Sequence, residues 1–183
     1  MRFLEMRRHS LRVRPEEHLS QPGVTLARRV GEQTGPFDLV VSSRAPRAFE
    51  TAIAMGYAVD TWYARVDFAE AEWQELARLL PEGTPFLERA GVMHAPGLAG
   101  RYARALCEQW AAVARELPED GRGLVISHGG YLDDSAVACL PEQDHQRWGP
   151  NFGHCEGIRL VFDRGRFVDG QVLRVSARRG KRP

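Results

Sequence analysis

The sequence predicts an α/β fold: a three-layer sandwich, with a mainly parallel sheet, helices on both faces and a small capping insertion over about residues 57–105. Two observations predict it. Segments of strand character alternate with amphipathic helical segments as far as residue 140, the pattern of parallel strands joined by helical crossovers. Two of those strands, Phe37–Ser43 and Gly123–Ser127, are apolar through their centres, as strands covered on both faces are. A chain of 183 residues suits one domain and can bury a substantial core without disulfides.

Taken in order, residues 2–6 read as a short buried strand ending at Arg8-His9. Residues 11–23 are polar and hold Pro15 and Pro22, so a loop is expected, closing with the turn Leu19-Ser20-Gln21-Pro22-Gly23. From Val24 to Gln33, Leu26, Ala27 and Val30 recur at helical spacing, and Gly35-Pro36 ends that helix. After the strand 37–43, Ser42-Ser43 offers a cap for a helix over Arg44–Met55, with Ala48, Phe49, Ala52 and Ile53 apolar and Arg47 in its first turn.

Residues 57–66 suggest a short strand. Residues 68–80 suggest a helix with Trp73, Leu76, Ala77 and Leu80 on one face. Pro81 to Pro85 breaks it, and Gly91–Gly100 reads as a loop. Tyr102–Leu117 is a long amphipathic helix through Leu106, Trp110, Val113 and Leu117. The strand 123–127 runs into His128-Gly129-Gly130 and a helix over Tyr131–Leu140. Asp133-Asp134 is expected in its first turn, where the helix dipole favours negative charge. A polar loop covers 141–155, strands at 157–162 and 168–175 flank a turn at Arg164-Gly165, and the basic end 178–183 is expected to fray.

Net charge is +1, which gives no electrostatic support to a nucleic-acid or membrane-surface partner. Three widely spaced cysteines without a CxxC argue against a disulfide framework or a structural zinc site. No apolar run has the length of a membrane span or a signal-peptide core, so a soluble, cytoplasmic protein is expected.

In open α/β sheets ligands bind beyond the carboxyl ends of the strands. Arg8-His9, Arg47 and His128 all fall there in this reading. Two arginines and two histidines suit a tetrahedral dianion: guanidinium forks bind phosphoryl oxygens bidentately. A neutral imidazole can attack phosphorus, and a second one, if protonated, steadies the equatorial oxygens. Gly129 and Gly130 would let the backbone approach the ligand. No metal or cofactor is required, because the arginines supply the positive charge.

These residues carry a family resemblance. Arg8-His9-Ser10 resembles the Arg-His-Gly signature of the histidine phosphatase superfamily, the phosphoglycerate-mutase-like family. Leu19–Gly23 is similar to its Leu-Thr-x-x-Gly turn. The segment from Ser43 to Ala52, with Arg47-Ala48 and Thr51-Ala52, resembles its Ser-Pro-x-x-Arg-Ala-x-x-Thr-Ala. Ser127-His128-Gly129-Gly130 resembles its second histidine motif. The matches appear in family order over residues 6–130.

The resemblance implies that His9 is the nucleophile that becomes phosphorylated, and that Arg8, Arg47 and His128 complete the phosphate pocket, with Gly129 and Ser10 beside it. It also implies a carboxyl group that protonates the leaving oxygen and then activates water. Counting back from Trp73 in Arg65-Val66-Asp67-Phe68-Ala69-Glu70-Ala71-Glu72-Trp73 puts Asp67 at that position, with Glu70 the alternative. Ser10 in place of the signature glycine would either donate to phosphate or narrow the pocket, and Arg44 in place of a proline adds charge near the mouth.

Other residues invite weaker assignments. Arg12 and Arg14 read as solvated loop charges that could line the entrance. His94 and His154 read as surface or structural hydrogen-bonding groups, His18 and His145 as exposed, and Trp62, Trp73, Trp110 and Trp148 as packing. The expected function is a metal-independent phosphatase acting on a phosphorylated small molecule or a phosphoprotein. A phosphomutase and a non-catalytic phospholigand-binding protein are the alternatives.

Overall fold

The computed structural model describes residues 1–175, and the basic end of the chain lies outside them. A six-stranded sheet contains β1 (Arg2–Arg8), β2 (Leu39–Ser42), β3 (Thr61–Trp62), β4 (Arg122–Ser127), β5 (Gly157–Asp163) and β6 (Arg166–Leu173) in the order β3-β2-β4-β1-β5-β6. The first four positions are mutually parallel; β5 runs antiparallel to β1, and β6 antiparallel to β5.

Alternation along the strands divides the core in two. Leu4, Met6, Val41 and Val125 face one side, where α5 (Leu98–Glu116) and α6 (Gly129–Cys139) bury Leu106, Trp110, Leu132 and Ala136. Val40, Leu124 and Ile126 face the other, against Ala27 and Val30 of α1 (Gln21–Gly31) and Ala48 and Ala52 of α2 (Pro46–Ala54). Apolar residues on both faces of β2 and β4 are what the continuous runs required.

Register positions the site. Arg8 pairs with Ser127 and Ser42 with Ile126, so β1, β2 and β4 end level with one another. The backbone continues this one step further: His9 N–H donates to Ser127 at 2.8 Å, and Ser43 N–H to Ile126 at 3.2 Å. His9, Ser43 and His128 therefore leave the sheet at one edge.

Several boundaries depart from the sequence expectation, each for a local reason. Helix α1 begins at Gln21, because the Ser20 hydroxyl accepts from Gly23 N–H at 3.2 Å and Pro22 fits the first turn. Helix α2 begins at Pro46 rather than Arg44; a residue before proline is held extended, so Ala45 becomes the cap and Ser43 is freed for another partner. The expected loop from Gly91 is helical as far as Met93. In α4 (Phe86–Met93), Phe86, Ala90 and Met93 lie at helical spacing and are buried, while Gly91 is exposed. Between β3 and α4 lies α3 (Glu70–Leu79), and a short 3₁₀ turn spans His145–Trp148. Helix α6 starts at Gly129, so Asp133 and Asp134 lie beyond its first turn and are buried rather than solvated at a helix end. No helix among the described residues is long and apolar enough to cross a membrane.

Candidate active site

His9 follows β1 directly. Its Nδ1–H donates to the Ser10 carbonyl at 2.7 Å, which leaves Nε2 unprotonated and able to accept. Arg47, in the first turn of α2, donates its Nε–H to that Nε2 at 3.2 Å. Burial, with His128, Arg47 and Arg8 close by, pushes His9 down to about 3, so it is neutral near pH 7. A neutral, oriented imidazole is the form able to attack phosphorus.

His128 ends β4, with its ring centre 5.4 Å from that of His9. Its Nε2 pairs with the Ser43 hydroxyl at 2.7 Å. Burial first, then Arg47, Arg65 and Arg8, pushes it down to about 4. The imidazolium considered from the sequence is thus not its form in the free protein; the charge at this edge is carried by arginine. Arg8 donates to the Phe152 carbonyl at 3.0 Å. Its guanidinium fills the space where Gly129 has no side chain, since a Cβ there would stand 2.9 Å from Arg8 Cζ. Nε of Arg8 and Nδ1 of His128 are buried without a hydrogen-bond partner among the described residues. Buried polar atoms are rarely left so, and here both border one cavity.

That cavity has a volume of about 620 Å³. Arg8, Arg12, Arg14, Arg47 and Arg65 line it with His9, His128 and His154; its carboxylates are Glu82 and Asp134. Asp134 is already held, by Arg89 and by the Tyr102 hydroxyl at 3.0 Å. His154 donates through Nδ1 to the His9 carbonyl at 3.1 Å, with its ring 5.6 Å from that of His9. Among the described residues no group of three or more His, Cys, Asp or Glu side chains is placed to hold a metal ion. The arrangement can bind an oxyanion and present it with a nucleophile.

The model of the histidine phosphatase superfamily (branch 1) matches residues 5–170. The chain belongs to that superfamily. No curated protein matches the sequence. Among solved structures, the fold resembles a mycobacterial glucosyl-3-phosphoglycerate phosphatase at 21% identity and a TM-score of 0.64, covering 97% of this chain and 100% of that one. It also resembles a phosphoserine phosphatase from Entamoeba histolytica, in complex with 3-phosphoglyceric acid, at 16% identity and a TM-score of 0.64, covering 96% and 98%. A phosphoglycerate mutase from Thermus thermophilus superposes at 15% identity and a TM-score of 0.56, covering 95% and 99%.

Within this histidine phosphatase fold, the structure brings together Arg8, His9, Arg47, His128 and Gly129 as the sequence suggested. Ser10 does not join them. It is fully buried, its hydroxyl donates to the Gly23 carbonyl at 2.7 Å and its N–H to Thr51 Oγ1 at 2.9 Å, and it does not line the cavity. Asp67 and Glu70 are exposed and do not line the cavity; Glu70 stands in the first turn of α3 and accepts from Gln74 at 3.5 Å. The loop arginines Arg12 and Arg14 do line it, as does Trp73. Of the other tryptophans, Trp110 and Trp148 are core and Trp62 is largely exposed. His145 is buried against Trp148, not exposed.

Sequence reasoning passed over Ser43 as a histidine partner, Arg65 and Glu82 as lining groups, and Glu17. The Glu17 carboxylate pairs with Arg47 and, at 2.9 Å, with Arg12. Arg65 was open to the rule that flagged Arg47, because it follows β3 at the same sheet edge.

Proposed function

We propose that this chain is a phosphoric monoester hydrolase that works through a phosphohistidine on His9, with a phosphorylated small molecule as substrate. The observation that carries the reading is the neutral His9 imidazole, whose unprotonated Nε2 faces Arg47 Nε–H at 3.2 Å inside a cavity dominated by arginine. The phosphoryl group docks on Arg8, Arg47 and His128. Nε2 forms a bond to phosphorus as the ester P–O bond breaks, and the leaving alkoxide takes a proton from a carboxyl group. Water then attacks phosphorus, the P–N bond breaks, the same carboxylate accepts the water's proton, and phosphate is released.

Glu82 is our assignment for that carboxyl group. Asp67 and Glu70 stand outside the cavity, and Asp134 is committed to Arg89 and Tyr102. The developing charge on the equatorial oxygens meets the guanidinium groups of Arg8 and Arg47.

The test is rapid quenching with a radiolabelled phosphoester. Label should appear on the parent protein as an acid-labile, alkali-stable adduct and turn over to free phosphate, and His9→Ala should give neither. Label passing from one position of a substrate to another without free phosphate would replace hydrolysis by a mutase reaction. Equal background rates in both proteins would leave only a phospholigand-binding site.

A further inference from the structure

Arg8 is held from behind by a carbonyl, not by a carboxylate. Its Nη1–H donates to Phe152 at 3.0 Å, and it takes part in none of the ion pairs of the described residues. The Phe152 carbonyl is itself held in place by Asp133. One oxygen of that carboxylate accepts from Phe152 N–H at 3.2 Å, and the other from Asn151 Nδ2–H at 3.0 Å. Gly129 and Asp133 stand four residues apart and so share one face of α6. The first leaves room for the Arg8 guanidinium, and the second braces the residue to which Arg8 donates.

Asp133 does not touch the site. It is 3% exposed and is absent from the lining of the cavity, whereas its neighbour Asp134 lines it and is held by Arg89 and Tyr102. A buried carboxylate with no cation bonded to it is costly in its ionised form. Burial first pushes Asp133 up to about 6; Phe152 N–H, Arg89 of α4 and Asn151 pull against that, and Asp134 adds to the push. Both bonded partners are N–H donors. The ionised carboxylate accepts from both, but an amide or a protonated acid presents a hydrogen or a weaker acceptor to one of them.

We propose that Asp133 is a positioning residue for oxyanion binding: its ionised carboxylate fixes Asn151 and Phe152, and the Phe152 carbonyl in turn aims the Arg8 guanidinium at the phosphoryl position. A carboxylate bonded to Arg8 itself would also orient it but would offset its charge. Acting through a carbonyl, Asp133 orients the guanidinium and leaves that charge to the ligand. The inference rests on the phosphatase reading only in taking Arg8 as the clamp.

The sign of the effect separates positioning from simple electrostatics. Removing a negative charge beside an anion site tightens anion binding; removing the brace weakens it. Sulfate is the probe, because it stays a dianion over the working range while phosphate takes up a proton near neutrality. Its dissociation constant is measured by calorimetry at about pH 7.5 on the parent, Asp133→Asn, Arg8→Ala and the double variant. Asp133→Asn is expected to bind sulfate about tenfold more weakly than the parent, yet to change binding by no more than about twofold once Arg8 is alanine. Tighter or unchanged binding in Asp133→Asn, or equal weakening in both backgrounds, would overturn the proposal. Arg8→Ala binding sulfate like the parent would overturn it as well, together with the role of Arg8 as clamp.

The parent's own pH profile serves if Asp133→Asn does not fold. Sulfate affinity should rise as pH climbs through about 6, where Asp133 ionises. Protonation of His9, His128 or His154, all held below the ordinary imidazole value, acts in the opposite direction. An affinity that is flat or falls over that range would overturn the brace. Coupling between Asp133 and Arg8 in a protein that forms no phosphohistidine would uphold the brace while removing the phosphatase reading.

Discussion

Arg47 Nε–H donates at 3.2 Å to His9 Nε2, the ring atom left unprotonated when His9 Nδ1 donates to the Ser10 carbonyl. Nucleophile and clamp are thus set against one another before any ligand arrives. Two further bonds fix the spacing: Ser10 N–H donates to Thr51 Oγ1 at 2.9 Å, and the Thr51 hydroxyl donates to the Arg47 carbonyl at 2.6 Å. The loop that holds His9 is therefore tied to the helix that holds Arg47, one turn above it.

Arg47→Ala should accordingly weaken phosphate binding far more than a surface arginine would. Removing one partner of a buried charged contact costs roughly 2–5 kcal/mol. Competitive inhibition by inorganic phosphate reads this directly, and an unchanged inhibition constant would mean that α2 does not deliver Arg47 to the phosphoryl group.

Gly129 and Gly130 make a matched pair of opposite expectation. A Cβ on Gly129 would lie 2.9 Å from Arg8 Cζ, while one on Gly130 has nothing within 4 Å. Both stand in the first turn of α6, where alanine is no worse a helix former than glycine, and the flexible end of Arg8 can move aside, so neither change should reduce the melting temperature. Gly129→Ala should nevertheless displace the Arg8 guanidinium and lower kcat/KM by about tenfold, with Gly130→Ala within about threefold of the parent. Equal effects would show that Arg8 yields to the methyl without consequence.

The strand-end residues were legible in the sequence because their placement follows from a local rule. Two apolar strands that end in Arg8-His9 and in His128 bring those residues together once the strands pair in parallel register, and Arg47 follows β2 by the same logic. Ser10 was not legible. Its hydroxyl is satisfied by Gly23 across the loop, a tertiary contact that sequence spacing does not reveal. The carboxyl group was less legible for a related reason: counting from Trp73 assumes the direction of the chain between β3 and α3. That direction is set by Trp73 packing on Phe68 and Tyr102, which leaves Asp67 and Glu70 on the outside and brings Arg65 to the cavity.

The depressed histidines fix the sign of the acid response. His9 titrates near 3 and His128 near 4 in the folded protein, against about 6.5 unfolded. Between those values the unfolded chain binds more protons, so stability is full above about pH 6.5 and is lost as pH falls toward 4. Replacing His9 by Gln removes one of these groups. The drop in urea midpoint between pH 7 and pH 5 should therefore be smaller in His9→Gln than in the parent, the carboxylates cancelling in the comparison. Identical drops would mean that His9 is solvated enough to protonate normally.

Glu17 competes with the ligand for Arg47. Its carboxylate pairs with Arg47 and Arg12 from a half-exposed position, so the contact is worth about 0.2–1 kcal/mol and weakens with salt. Glu17→Gln should tighten phosphate binding by about two- to fivefold at low ionic strength, with the gain fading in high salt. Weaker phosphate binding in this variant would show instead that Glu17 orients Arg47 for the ligand.

Glu82 is separable from the nucleophile by the leaving group. An alkyl phosphate departs as a strong base and needs a proton, whereas p-nitrophenyl phosphate departs as a stable phenolate. General acid assistance contributes about 10²–10⁴-fold, so Glu82→Gln should slow phosphoryl transfer from the alkyl ester by about that factor and spare the first step with the nitrophenyl ester. The second step still requires a base to activate water, so p-nitrophenolate should appear in a burst equivalent to the enzyme present, followed by a slow steady rate. Asp67→Asn and Glu70→Gln should show neither effect, because their side chains do not line the cavity. A burst produced by Asp67→Asn and not by Glu82→Gln would return the acid to the position counted from Trp73, and would require the segment between β3 and α3 to swing inward when substrate binds.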